Sequence, residues 1–314
     1  SRCAGPCQYS YCRRSGFILT DLDASSDYRK RRLVRTDQTG LRSEGHARLR
    51  SSYPFQERAI TQSLKTRHLG REISIATECT STNDIVKRSA EMGAPHGFVS
   101  ISETQSAGRG RLGRSWVSPV GGIWLSILLR PPSHQSFLDS LPLLGALAIA
   151  EAVNSQLGIK ARVRWPNDVV VDNRKIAGVL AEAKSKGNEL VYAILGLGIN
   201  ANFSVDEIGA FTNVATLQSL RGAPIDRVAL ISSALFEVEN LYELLCAGMV
   251  ENIVALLRER ECSRGKSVRV KVQGRELRGT VDDYENLGRV RILTLQGSQS
   301  IDTNTLLSVE YQSN

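Results

Sequence analysis

Apolar and polar positions alternate with a regular period only from about residue 57 onward. Glu57–Leu69 has helical spacing, and Ile73–Thr77 alternates like a strand. Ser81-Thr82-Asn83-Asp84 offers a cap for a helix running to Met92. Gly97–Glu103 and Gly122–Leu129 are strand-like, and Pro131-Pro132 ends the second. A helix is predicted from Ser136 to Gly158, then a strand at Ala161–Trp165 and a hairpin over Val169–Glu182 that turns at Asp172-Asn173. Glu189–Leu195 is a further strand, and Ile225–Ala247 and Val250–Arg260 are helices, the first capped by Asp226.

From residue 264 the pattern shortens. Ser267–Val272, Glu276–Asp282, Arg289–Leu295 and Ser300–Asp302 are brief β-like runs separated by turns at Gly274, Gly288 and Gly297, as in a small β-barrel. Hairpin-linked strands with interspersed helices predict an α+β protein, not a doubly wound parallel sheet. The expected organisation is a basic tail over 1–58, a catalytic-sized domain over 59–263 and a β-barrel over 264–314.

Charge sharpens this division. Of the net +8, residues 1–58 carry +6, so the remainder is close to neutral and the nucleic-acid signal belongs to the tail. That tail lacks apolar periodicity and includes the charge run YRKRRLVR, so it reads as disordered. Six cysteines stand at 3, 7, 12, 79, 246 and 262. The first three do not have zinc-ligand spacing, and the others are scattered like thiols of a reducing compartment. With no signal-peptide pattern and no run of roughly 18 uninterrupted apolar residues, the expected location is the cytoplasm.

Chemistry concentrates in three segments. The first, SETQSAGRGRLGRSWVSPVGG at Ser102–Gly122, places Arg109, Arg111 and Arg114 among Gly108, Gly110 and Gly113, next to Trp116. Glycines let backbone approach a ligand, and arginines offer forked donors to carboxylate and phosphate. The GxGxxG spacing within it is not a dinucleotide-binding turn. Loop and strand follow instead of a helix, and no acidic residue occurs in Ile127–Gln135. The second segment, Arg164-Trp165-Pro166-Asn167-Asp168, can aim polar turn residues into a cleft, and Lys175 follows in an apolar hairpin strand where it needs an anionic partner. The third, Gly196-Leu197-Gly198-Ile199-Asn200, brings a strand end close to a ligand.

In order and spacing, CTSTND, GRGRLGRSW, RWPND, RKIAGVLAE and LGLGIN resemble the catalytic motifs of the biotin–protein ligases, over about residues 60–312. The resemblance implies a mixed-sheet catalytic domain of the class II synthetase-like, biotin–lipoate ligase type, followed by an SH3-like β-barrel. It implies that biotin is activated by ATP as biotinyl-5′-AMP, with Mg²⁺, and passed to a lysine of a biotin carboxyl carrier domain of acetyl-CoA carboxylase or another biotin-dependent carboxylase. It places Ser81, Thr82, Asn83 and Gln105 at the biotin ring system. Arg109, Gly110 and Arg111 would form the loop closing over biotin and the adenylate phosphate, with Trp116 near the adenine. Lys175 would contact phosphate and carboxylate, and Asn167, Asp168 and Asn200 would line the nucleotide and magnesium region.

Arg164 stands where the family usually has lysine. Arg111, Lys175 and Asp168 are the expected catalytic groups, with Asp168 either orienting the acceptor amine or holding the metal. A lipoate or octanoate ligase is the enzymatic alternative, but no RRxSGGG-like segment occurs. A ligase that doubles as a biotin-operon repressor needs a helix-turn-helix, which residues 1–58 do not show, so sequence-specific DNA binding is not expected. A homodimer stays open.

Overall fold

The computed structural model describes residues 54–131, 135–187, 189–209 and 213–312. The basic tail and Cys3, Cys7 and Cys12 therefore lie outside the described residues.

Seven strands form one mixed sheet: β1 (Ile73–Cys79), β2 (Val99–Gln105), β3 (Ile123–Leu129), β4 (Arg162–Arg164), β5 (Asp168–Val171), β6 (Arg174–Lys186) and β7 (Glu189–Ile199). Their spatial order is β1-β2-β3-β7-β6-β5-β4. Only β1 and β2 pair in parallel, joined by helix α2 (Thr82–Glu91); the other neighbours are antiparallel. This is the expected α+β class.

The β5–β6 hairpin turns at Asp172 and Asn173, both at positive φ (46° and 62°), a conformation asparagine and aspartate tolerate better than most residues. Strand β7 runs four residues further than its alternation predicts, through Gly196 and Gly198 to Ile199. Glycine weakens a strand interior unless a neighbour needs the space, and here two neighbours do, as described below.

One face of the sheet packs on helices α3 (Gln135–Leu157) and α5 (Arg227–Cys246), with the shorter α1 (Glu57–Ser63) and α6 (Val250–Arg260) beside them, and a single turn of helix, α4 (Leu217–Arg221), leads into α5. Leu141, Leu143, Leu144, Leu147, Ile149 and Val153 of α3 are fully buried, each worth about 1.5–3 kcal/mol of transfer free energy. Among the described residues α3 alone is long and apolar enough to cross a membrane, yet 78% of that window is buried within the protein, as in a core helix. Gly158, at φ 66°, follows its last turn as a left-handed C′ residue. Asp226 caps α5, accepting from the Ala229 amide at 3.0 Å.

The packed body begins ahead of residue 59. The Phe55 amide donates to Glu103 at 2.7 Å, and its ring lies 4.1 Å from the Arg227 guanidinium, itself paired with buried Glu103.

A second, five-stranded antiparallel sheet follows: β8 (Ser267–Val272), β9 (Arg275–Asn286), β10 (Arg289–Thr294), β11 (Gly297–Asp302) and β12 (Leu306–Tyr311), in the order β11-β10-β9-β8-β12. This is the expected SH3-like module. Strand β9 runs four residues beyond the expected Glu276–Asp282, to Asn286, through the polar residues Asp283, Glu285 and Asn286 that break its apolar alternation, and β12 was not among the expected strands.

Candidate active site

The face of the large sheet opposite α3, where α2 also packs, carries a row of missing side chains. Gly178 of β6 pairs with Gly198 of β7, which pairs with Trp124 of β3. One step along, Leu180, Gly196 and Ser126 form the next row. A Cβ on Gly198 would stand 2.8 Å from Trp116 Nε1, and one on Gly196 would stand 2.5 Å from Asn83 Oδ1. The glycines of the third segment therefore admit Trp116 and Asn83 onto the sheet. Their purpose is close approach, since neither has a positive φ.

Above these rows lies a cleft of about 1420 Å³. All the residues singled out from the sequence line it: Ser81, Thr82, Asn83, Gln105, Arg109, Gly110, Arg111, Trp116, Arg164, Asn167, Asp168, Lys175 and Asn200.

At one end the start of α2 is fixed by hydrogen bonds. The Thr82 amide and hydroxyl donate to Gln105 Oε1 at 2.9 and 3.2 Å, and Gln105 Nε2 donates to Ser118 Oγ at 2.9 Å. Thr82 Oγ1 is 2.7 Å from Ser126 Oγ, whose hydroxyl donates to Asn83 Oδ1 at 2.5 Å. Asn83 Nδ2 then donates to Glu182 Oε2 at 2.5 Å. Ser81, Thr82 and Asn83 are buried. The result is a polar wall with its donors and acceptors already ordered.

Arg109 belongs to the same wall. It meets Asp84 in a forked pair at 2.9 and 2.7 Å, and Glu182 at 3.4 Å. The bond from Arg109 holds the Asp84 carboxyl below its ordinary range, and the same bond raises Arg109. Sequence reasoning missed Asp84, Ser126 and Glu182 as parts of the site. The strand alternation that carries Gly178 and Leu180 to the cleft face also carries Glu182 there, so a signal existed for that residue.

At the other end, Asp168 sits between two cations, with Lys175 Nζ at 2.5 Å and Arg164 Nη2 at 3.1 Å. Lys175 Nζ also lies 5.0 Å from the centre of the Trp116 ring, a cation–π distance. Asn167 and Asn200 line the cleft, and their amide nitrogens are bonded to the main chain. Asn167 Nδ2 donates to Val179 O at 2.7 Å, and Asn200 Nδ2 to Lys175 O and Ala215 O at 3.4 and 3.2 Å. Both brace the main chain around Lys175.

Arg111 departs most from expectation. Its Nη2 donates to the carbonyls of Thr303 and Leu306, 3.0 and 3.1 Å away in the C-terminal module. Nη1 is buried and bonds to no described residue, and burial pushes the guanidinium down from its ordinary pKa. The loop around it is a 3₁₀ turn, Arg111–Gly113, with Leu112 and Gly113 at positive φ. No helix opens there, as a dinucleotide-binding turn would require.

The family model for the biotin/lipoate A/B protein ligase family matches residues 75–200. A bifunctional ligase/repressor BirA of Bacillus spizizenii is 31% identical over 205 residues, covering 64% of this chain and 63% of that protein. The chain thus matches somewhat under two thirds of that relative's length. A biotin–[acetyl-CoA-carboxylase] ligase of Mycobacterium tuberculosis is 29% identical over 248 residues, covering 76% of this chain and 89% of that one. Among solved structures, a biotin protein ligase from Aquifex aeolicus in complex with biotin and ATP superposes with a TM-score of 0.66 at 27% identity, covering 77% of this chain and all of its own. Motif order, fold and cleft agree with these relatives, and the chain is similar to biotin–protein ligases in sequence and in fold.

Proposed function

We propose that the chain is an ATP-dependent ligase that activates biotin as biotinyl-5′-AMP and transfers it to a lysine of a biotin carboxyl carrier domain. The observation that carries this reading is the convergence of five sequence-distant motifs on one cleft, with an ordered polar wall at one end and Lys175 and Arg111 at the other. The wall of Ser81, Thr82, Asn83 and Gln105 suits the ring system of biotin. Its carboxylate then points toward Lys175, with Arg109 and Gly110 at the side of the cleft and Trp116 between ring and nucleotide.

The chemistry balances in two steps. A biotin carboxylate oxygen attacks the α-phosphorus of ATP, forming a mixed anhydride and expelling pyrophosphate. The acceptor lysine, once deprotonated, attacks the anhydride carbonyl, forming an amide and releasing AMP. Both reactants of the first step are anions, so Lys175 and Arg111 lower its barrier by offsetting charge at the carboxylate and phosphate.

A protein-held Mg²⁺ does not fit the residues present. Asp168 is already met by two cations, and among the described residues no three His, Cys, Asp or Glu side chains converge as ligands. Asp168 is assigned to hold Lys175.

We further propose that residues 59–263 form the catalytic domain and 264–314 the SH3-like module. Transfer of labelled biotin to a carrier domain, with lipoate and octanoate in parallel, tests the function. Transfer of lipoate or octanoate but not biotin overturns it.

A further inference from the structure

We infer that Thr303 and Tyr311 of the C-terminal module are positioning residues for the cleft, setting Arg111 and the Arg164–Asp168–Lys175 chain; the inference rests on the ligase reading above. Beside apolar packing and the Arg258–Asp283 ion pair, part of the contact between the two domains is made through polar groups that also line the cleft. The 3₁₀ turn Thr303–Thr305 presents the Thr303 carbonyl, and β12 begins with that of Leu306; together they hold Arg111 Nη2. One amino group of the guanidinium is thereby fixed, and Nη1 is left as a buried donor with no partner among the described residues, on a residue that lines the cleft.

The turn itself is fixed from two sides. The Thr303 amide donates to Gly288 O at 2.8 Å within the module, and Thr303 Oγ1 accepts from Trp165 Nε1 of the RWPND segment at 3.2 Å. Thr303 and Trp165 are both buried. A shift of this turn would therefore move Arg111 relative to Trp165, two residues whose chains are otherwise distant.

Tyr311 closes a second ring of bonds around the same segment. Its Oη is 2.8 Å from Trp165 O and 2.8 Å from Ser263 Oγ, which accepts from the Trp165 amide at 2.9 Å. The Tyr311 ring lies 5.8 Å from the Arg164 guanidinium. Arg164 in turn pairs with Asp168, and Asp168 with Lys175. The module thus reaches both cations assigned to the phosphate and carboxylate, Arg111 directly and Lys175 through Arg164 and Asp168.

Three variants of the full chain test this. Thr303→Val keeps the β-branched shape and removes the acceptor for Trp165 Nε1, Thr303→Ser restores it, and Tyr311→Phe removes only the hydroxyl. Biotinyl-adenylate is formed on the enzyme from labelled biotin and ATP, and its release is followed after an unlabelled chase. This gives a rate per bound complex that does not depend on how much protein is folded.

Release from Thr303→Val is expected to be about three- to tenfold faster than from wild type, the worth of one neutral hydrogen bond, and that from Thr303→Ser within about twofold. Tyr311→Phe is expected to raise KM for ATP at least about threefold in pyrophosphate exchange, with kcat nearly unchanged. Unchanged release in Thr303→Val and unchanged KM in Tyr311→Phe, whatever their melting points, overturn the inference; either variant that folds suffices. Absence of adenylate on the wild-type enzyme would instead overturn the ligase reading.

Discussion

Replacing Lys175 with methionine separates the electrostatic role of this residue from its packing. The side chain is about a quarter exposed; its stem lies along Gly178, and its ammonium faces Asp168 and the Trp116 ring. Methionine keeps most of the apolar stem. Asp168 keeps Arg164 at 3.1 Å, so no carboxylate is stranded. The cost to folding is therefore that of a partly exposed pair, about 1 kcal/mol or less, and the melting point should fall by only about 2–4 °C. The cost to chemistry is larger. A charge-assisted hydrogen bond to an ionised group contributes roughly 1.5–3 kcal/mol, which corresponds to a loss of about 10- to 150-fold in adenylation. Biotin-dependent exchange of labelled pyrophosphate into ATP measures that step apart from transfer, and a thermal melt measures the fold. Exchange at the wild-type rate in a folded Lys175→Met protein would remove Lys175 from the mechanism.

Four further outcomes follow from the geometry. Arg111→Ala should leave the fold intact and speed escape of biotinyl-adenylate into solution, measured by the same chase; wild-type retention would exclude it as a phosphate contact. Gly196→Ala places a Cβ 2.5 Å from Asn83 Oδ1, so KM for biotin should rise by at least about tenfold while the melting point shifts little; an unchanged KM would detach Asn83 from the biotin end. Burial pushes His96 from 6.5 to about 4, so it stays neutral in the native state while the unfolded chain takes up its proton. Its contribution is fully present above pH 6.5 and is lost as pH falls toward about 4. This amounts to about 3 kcal/mol, which urea titrations should show in wild type and not in His96→Asn. A chain lacking residues 1–51 should biotinylate its acceptor at close to the full rate, because it keeps Phe55 on Glu103 and Arg227 and every residue lining the cleft; loss of transfer would give the tail a catalytic role.

Much of this architecture was legible because local rules agree with the packing. Asp172-Asn173 marks the hairpin turn, Asp226 the start of α5, and Val250–Arg260 falls where its apolar spacing places it. Strand β7 was read short because glycines at 196 and 198 look like a loop until Trp116 and Asn83 are placed above them. The lining of the cleft could be named in advance from its motifs. Its internal pairing could not, since Arg109 finds Glu182 and Arg111 finds Thr303 across 73 and 192 residues of chain. Glycine–arginine composition announces an anion site but is silent on which arginine has already found a carboxylate.

That distinction separates the three cations by role. Arg109 carries a forked bond to Asp84 and a second acid within reach, so a ligand anion approaching it meets a charge already offset. Breaking such a pair to make another returns little, because the bond formed is of the same kind as the bond lost. Arg109 is therefore better suited to shaping the polar wall than to binding phosphate. Lys175 has one carboxylate partner, which it shares with Arg164, so an incoming anion can be accepted while Asp168 keeps a counter-charge. Among the described residues Arg111 has carbonyl partners only, and Asp168 acts on it through space. A buried guanidinium without a bonded carboxylate is the costliest cation of the three to leave alone. It therefore gains the most from a phosphate, which makes the adenylate the natural partner of the loop that carries it.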